Sequence, residues 1–242
     1  MSVLVVTGTD GGVGKTVVTA AVVALALRRG SAAAVVKPAQ TGVAAGEPGD
    51  VDQVIRLSGA ATTFELGRFS EPLSPAAAAR AAGMPPVSLA AAAVLVRELA
   101  ESNRLVIVEG TGGLLDRYDD DGATIADLAR SLHAQVLVVV RAGCGAVNHT
   151  ALTLEALAHR GLDLAGVVIG RWPQAPGLAE RSSVADLEML AARPLAGALP
   201  DGAGRLAAPE FAEAAREGLS ATLGGVFDPI AFRHRHTPEG WG

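Results

Sequence analysis

The chain has 242 residues, half of them hydrophobic, with a formal net charge of −5 at pH 7 and one cysteine, Cys144. That length suits one large domain with a sizeable core. The acidic balance and a 3% aromatic content argue against a nucleic-acid partner, and a lone cysteine excludes an intrachain disulfide and fits a reducing compartment.

Short apolar runs alternate with longer helical patterns. Val3 to Thr7 reads as a strand and Lys15 to Arg29 as a helix stopped by Gly30. Within that helix, Val17 to Leu27 is the longest apolar run; Thr19 interrupts it, and it is too short to cross a bilayer. No basic segment followed by an apolar stretch opens the chain, so no signal peptide is read, and a cytoplasmic enzyme without a membrane partner is expected.

Ala33 to Lys37 is a second strand. Ser74-Pro75 opens an Ala-rich helix that Gly83 closes, and Ser88 to Ser102 is another helix. Leu105 to Glu109 is a strand, Thr124 caps a helix through Ser131, and Val136 to Val140 is a central strand. Asn148 is placed to cap a helix ending at Gly161. Ala165 to Ile169 is a strand, Ser183 to Ala191 a helix, Ala196 to Leu199 a last strand and Ala208 to Leu219 the closing helix.

Strand and helix in repeated alternation predict an α/β domain, a mostly parallel sheet with helices on both faces. The domain is expected to occupy residues 1–226. The tail 227–242 shows no periodicity, is read as irregular, and holds His234 and His236. His133, His149 and His159 are read as packing or surface residues. Trp172 and Pro173 follow a strand end, where they would either wall a pocket or pack.

The first strand runs into Gly8-Thr9-Asp10-Gly11-Gly12-Val13-Gly14-Lys15-Thr16, followed by Val17 inside the helix. Glycines let backbone N–H groups converge on anionic oxygens, and the helix adds its positive N-terminal end. Lys15 is placed to reach the β- and γ-phosphates and Thr16 to ligate Mg²⁺. The loop has five residues between Gly8 and Gly14, where the common pattern has four.

Lys37 ends the second strand ahead of Pro38-Ala39-Gln40-Thr41-Gly42. Strand ends of a parallel sheet face the ligand crevice, where a cation stabilises charge on a transferring phosphoryl group. Glu109 follows four apolar residues and precedes Gly110-Thr111-Gly112-Gly113; a carboxylate so placed holds Mg²⁺ beside a nucleotide. Asp50 and Asp52 are either helix caps or site acids, and physical reasoning from sequence does not choose between them.

Together these pieces resemble dethiobiotin synthetase. The loop Gly8–Thr16, Lys37-Pro38 with Gln40-Thr41-Gly42, Asp50, Glu109 to Gly113, and Asn148-His149-Thr150 before Leu152-Thr153-Leu154-Glu155 occur in order over most of the chain. The resemblance implies a homodimeric, single-domain P-loop NTPase fold. It implies conversion of 7,8-diaminononanoate, CO₂ (or bicarbonate) and Mg-ATP to dethiobiotin, ADP and phosphate, through a carbamate and its mixed anhydride.

By the same resemblance Lys15 and Lys37 are catalytic, and Thr16, Asp50 and Glu109 surround Mg²⁺. Gly12 through Val17, Asp50 and Glu109 through Gly112 bind the nucleotide. Thr41, Gly113 and Asn148 hold the substrate, and Gly170, Arg171, Leu199, Pro200 and Asp201 hold the base. Where the family often has Thr and Glu, this chain has Gly11 and Gly12; Thr111 replaces an Ala. Arg171 stands where an Asn is common and cannot accept a hydrogen bond from a base, which implies weak discrimination among nucleoside triphosphates.

Two alternative classes fit less well. Partitioning-type switch ATPases carry a second lysine early in the phosphate loop, where this chain has Thr9 and Asp10. Cobyrinic-acid-type amide ligases carry a glutaminase domain with a nucleophilic cysteine, and Cys144 lies in a glycine loop without an evident base.

Overall fold

Side chains alternate across a strand, so a strand that is apolar at every position must be covered on both faces. Val136 through Val140 are all fully buried: Val136, Val138 and Val140 face one core, Leu137 and Val139 the other. The computed structural model describes residues 2–59 and 61–238. Its seven-stranded sheet is parallel throughout, in the order β4 (Thr62–Glu65), β2 (Ala33–Lys37), β6 (Leu105–Gly113), β1 (Ser2–Gly8), β7 (Gln135–Val140), β8 (Leu164–Trp172), β9 (Gly197–Pro200). A short parallel pair, β3 (Gln40–Thr41) and β5 (Arg68–Phe69), stands apart from it.

One face of the sheet is covered by α1 (Lys15–Arg28), α2 (Asp50–Ser58) and α8 (Ala208–Gly218), which meet it through Val18, Val54, Leu57 and Phe211. The other carries α3 (Pro75–Ala82), α4 (Leu89–Ser102), α5 (Ile125–Ser131), α6 (Ala146–His159) and α7 (Leu178–Ala191), packed through Ala78, Val96, Leu128, Leu157 and Leu187. Nine of the fourteen residues of α1 are buried, because α2 and α8 flank it as well as the sheet. None of the helices among the described residues is long and apolar enough to cross a membrane.

Most predicted elements are present, with Thr124 capping α5 and Ser88 capping α4. Several boundaries need correction. Glu109 does not end its strand: β6 continues to Gly113, with Glu109 opposite Val6. β8 runs past Ile169 to Trp172, and α7 begins at Leu178, whose exposed side chain offers no apolar signal. Asn148 is no cap; Gly145, at φ 78°, precedes α6, and Asn148 is exposed in its first turn.

The tail is not irregular over its described part. Pro229–His236 forms α9, capped by the Asp228 carboxylate, which accepts hydrogen bonds from Ile230 and Ala231 N–H at 2.9 and 3.0 Å. Residues 239–242 of that predicted tail lie outside the described residues.

Candidate active site

The carboxyl ends of β1, β2, β6, β8 and β9 open onto one cavity of about 820 Å³. In parallel sheets this is the edge at which ligands bind. At its floor Gly14 caps α1 with φ 103°, a backbone conformation that side chains rarely adopt. The N-terminal end of α1 points its free N–H groups and positive dipole at the cavity, as anion sites require. Lys15 Nζ donates to the Asp10 carbonyl at 2.9 Å. Asp10 Oδ1 in turn accepts from Gly11 N–H at 2.7 Å, and its Oδ2 faces Arg141 Nη2 at 3.3 Å.

Lys37 leaves the end of β2 only 2% exposed, and burying an ammonium requires partners. It has three: Asp50 Oδ2 at 2.6 Å, Glu109 Oε1 at 2.9 Å and the Gly110 carbonyl at 3.2 Å. Thr16 Oγ1 also donates to Glu109 Oε1, at 2.8 Å. Strands β1, β2 and β6 are neighbours, so the loop after β1, the end of β2 and Glu109 converge although distant in sequence.

Burial would depress the Lys37 ammonium, but Glu109 and then Asp50 outweigh it and hold the group above the usual lysine range. Burial would raise the Asp50 carboxyl, and Lys37 outweighs it and holds the group below the usual range. Lys15 moves the other way: burial and then the Lys37 charge push it down to about 8, against the pull of Glu109 and Asp50.

Asp50 and Asp52 differ in their partners. Asp52 accepts from the Gly49 N–H at 2.7 Å, a capping bond that turns it back on its own helix, whereas Asp50 reaches Lys37. Thr16, Asp50 and Glu109 supply only oxygen donors, and Glu109 Oε2 is buried without a partner. Such a set fits a hard cation such as Mg²⁺. Among the described residues no group of three or more His, Cys, Asp or Glu side chains gathers into a metal cluster, at His234 and His236 or elsewhere.

Of the residues expected at the site, Gly12, Gly14, Lys15, Thr16, Val17, Lys37, Thr41, Asp50, Thr111, Gly112, Gly170, Arg171, Pro200 and Asp201 line the cavity. Glu109 and Gly110 stand just behind Lys37. Val13 and Leu199 turn into the core instead, at 1% and 0% exposure. Gly113 is spoken for by Asp116, whose Oδ2 accepts its N–H at 2.7 Å, and Asn148 lies off the wall on α6. Trp172 is packed, 8% exposed, and does not line the cavity.

Sequence reasoning missed three supports. Gln40 Oε1 accepts from Asp50 N–H at 2.8 Å and so orients the start of α2. The Tyr118 hydroxyl, wholly buried, accepts from Thr111 N–H at 2.9 Å, and Thr111 Oγ1 donates to the Ala39 carbonyl. Asp116 lines the cavity as well as fixing Gly113. Asp116 left a local signal, an Asp three residues after a glycine turn, where a short side chain can bond back to the main chain.

The far end of the cavity is walled by Gly170-Arg171 and by residues 200–205. Arg171 Nε donates to Asp201 Oδ1 at 2.9 Å, and that contact, rather than burial, lowers the Asp201 carboxyl. Gly170 abuts the phosphate loop so closely that a Cβ there would lie 2.2 Å from the Val13 carbonyl oxygen.

Residues 2–204 match the family described as AAA domain. The chain is 61% identical to a protein named ATP-dependent dethiobiotin synthetase BioD from Parafrankia, covering 98% of this chain and 99% of that one. It is 52% identical to the protein of the same name from Streptomyces avermitilis, covering 98% and 100%. Among solved structures, a ParA family ATPase from Chlorobium tepidum superposes with a TM-score of 0.54 at 12% identity, covering 92% of this chain and 95% of that one, which bears on the fold alone.

Proposed function

The chain belongs to the ATP-dependent dethiobiotin synthetase family, an AAA-domain group, and on that premise we propose how its site makes dethiobiotin. It is a ligase that uses ATP. The substrates of the proposal are 7,8-diaminononanoate, CO₂ (or bicarbonate) and Mg-ATP. One amine adds to CO₂ and loses a proton, giving a carbamate. A carbamate oxygen takes the γ-phosphoryl group and ADP leaves. The second amine then attacks the carbamoyl carbon, expels phosphate and closes the ureido ring.

One observation carries the reading: two buried lysines, Lys15 and Lys37, meet at the phosphate end of the cavity, one of them clamped by two carboxylates. Every species in the reaction, carbamate, γ-phosphate and mixed anhydride, is anionic there. A cation fixed in place before the reaction stabilises the developing charge without reorganisation. Lys15 and the loop N–H groups hold the β- and γ-phosphates. Lys37 neutralises the carbamate and the transferring group. Thr16, Asp50 and Glu109 hold Mg²⁺, which when bound offsets phosphate charge.

Thr41 and the Gly112 backbone position the diamine, and the wall of Gly170, Arg171, Pro200 and Asp201 takes the base. Arg171 is committed to Asp201 and cannot accept a hydrogen bond from a base, which supports weak base discrimination. The protein is read as a cytoplasmic homodimer. Leu152, 58% exposed on α6 beside exposed Asn148, supports an interface at which Asn148 meets the substrate carboxylate.

The test mixes the protein with 7,8-diaminononanoate, bicarbonate, Mg²⁺ and ATP, and follows dethiobiotin by mass spectrometry alongside phosphate. Equal amounts of both products, and neither without the diamine, are expected. Phosphate released without the diamine and without dethiobiotin overturns the reading in favour of a switch ATPase.

A further inference from the structure

The last helix lies against the strand that forms the far wall of the cavity. Trp172 closes β8; its ring centroid is 4.9 Å from that of Phe232 and 4.8 Å from that of His236, and those two lie 4.6 Å apart. Phe227 completes the group, 5.1 Å from Phe232. Tilted and edge-on aromatic pairs at these separations attract beyond their buried area. The helix α9 is pinned at both ends of this contact. Asp228 caps its start, and Arg233 Nη1 lies 2.9 Å from Glu188 Oε2 on α7, while Glu188 Oε1 accepts from Leu195 N–H at 3.0 Å.

The backbone of Trp172 leads directly to the cavity. Its carbonyl accepts from the Asp201 N–H at 2.7 Å, and it pairs with Pro200 across β8 and β9. Asp201 and the preceding Arg171 are bonded to each other and both face the cavity. Gly170, one residue further back, rests on the phosphate-loop backbone. Moving Trp172 therefore moves Arg171 and Asp201 together.

We propose that α9 is a positioning element for nucleotide binding: by clamping Trp172 through Phe232 and His236 it sets the wall at Arg171 and Asp201. None of these three aromatic residues lines the cavity, so they act on the ligand only through that wall. The inference rests on the reading that this end of the cavity takes the base and ribose.

The full chain and its variants are titrated with ADP by isothermal calorimetry, and ATP and diamine are varied in steady state. Phe232→Ala is expected to raise the ADP Kd and the ATP KM about fivefold, with kcat and the diamine KM within about twofold of the parent. Phe232→Leu, which keeps apolar bulk against Trp172, is expected to recover most of the loss. An unchanged ADP Kd in Phe232→Ala overturns the proposal, as does an equal loss in both KM values. If Phe232→Ala does not fold, Arg233→Ala, which frees the helix from Glu188 on α7, carries the test with the same readouts. ADP binding by the parent without dethiobiotin formation would fail the substrate reading and leave this inference standing on the titration.

Discussion

At Lys37 the penalty for burying an ammonium is offset by Asp50 and Glu109, and neither carboxylate has another cation within bonding distance in the site. Removing the lysine leaves Glu109, 1% exposed, as an uncompensated buried acid. Lys37→Ala is expected to retain ADP binding, because Lys15 and the loop amides remain. Its turnover is expected to fall by about 10²–10³ or more, the scale of losing one preorganised charge stabiliser. Near-parental turnover would take Lys37 out of the mechanism. Lys15 sets a pH dependence instead. Its free-protein value is near 8, and phosphate binding requires the protonated form. Nucleotide affinity is therefore at its full value below that pH and falls as pH rises through it, by up to about tenfold per unit. Equal ADP dissociation constants well below and well above pH 8 would remove Lys15 from the phosphate contact.

Among the elements, β8 and the phosphate loop are held backbone to backbone. At Gly170 an added Cβ would meet the Val13 carbonyl oxygen at 2.2 Å and Val139 Cγ1 at 2.7 Å, and main chain cannot turn aside. Gly170→Ala should lower stability by about 2 kcal/mol or more and weaken ADP binding in step, measured by thermal denaturation and calorimetry. Gly11→Ala, with nothing within 4 Å of its Cβ, should leave stability at the parental value. An unaffected Gly170→Ala would show that the loop and strand are free to separate.

This element scale is also where the sequence was most and least legible. Strands buried on both faces announced themselves, because Val35-Val36, Val106 to Val108 and Val136 to Val140 had to be apolar throughout. The edge strand β4 did not, since Thr62 to Glu65 is only partly buried and follows no alternation. Helix α9 was hidden for a related reason: it has no buried residue, and an Asp cap and an aromatic contact hold it rather than an apolar stripe. Site residues on glycine loops and strand ends were readable because their chemistry is local. The roles of Gln40 and Tyr118 were not, because each depends on a partner that only the folded chain supplies.

For the molecule as a whole, the cavity draws on five strands of one sheet with a core on each face. A ligand bound there stabilises the sheet as a unit. ADP at about a hundredfold its Kd should add about 2.7 kcal/mol, which for a chain of this size raises the melting temperature by roughly 5–10 °C. The whole transition is expected to shift; a second transition that ADP does not move would mean that part of the chain unfolds independently of the site.

The strand order has one more consequence, in the timing of synthesis. β1, which carries the phosphate loop, is made well before its neighbours in the sheet, β6, beginning at Leu105, and β7, beginning at Gln135. At about 5–20 residues per second the ribosome needs roughly 5–20 s to supply the first of those partners. Through that interval the segment Ser2–Gly8 (SVLVVTG) is an apolar strand without a mate. The nucleotide site is therefore assembled late in translation although its first residues emerge early, and the nascent chain exposes an unpaired apolar segment through those seconds.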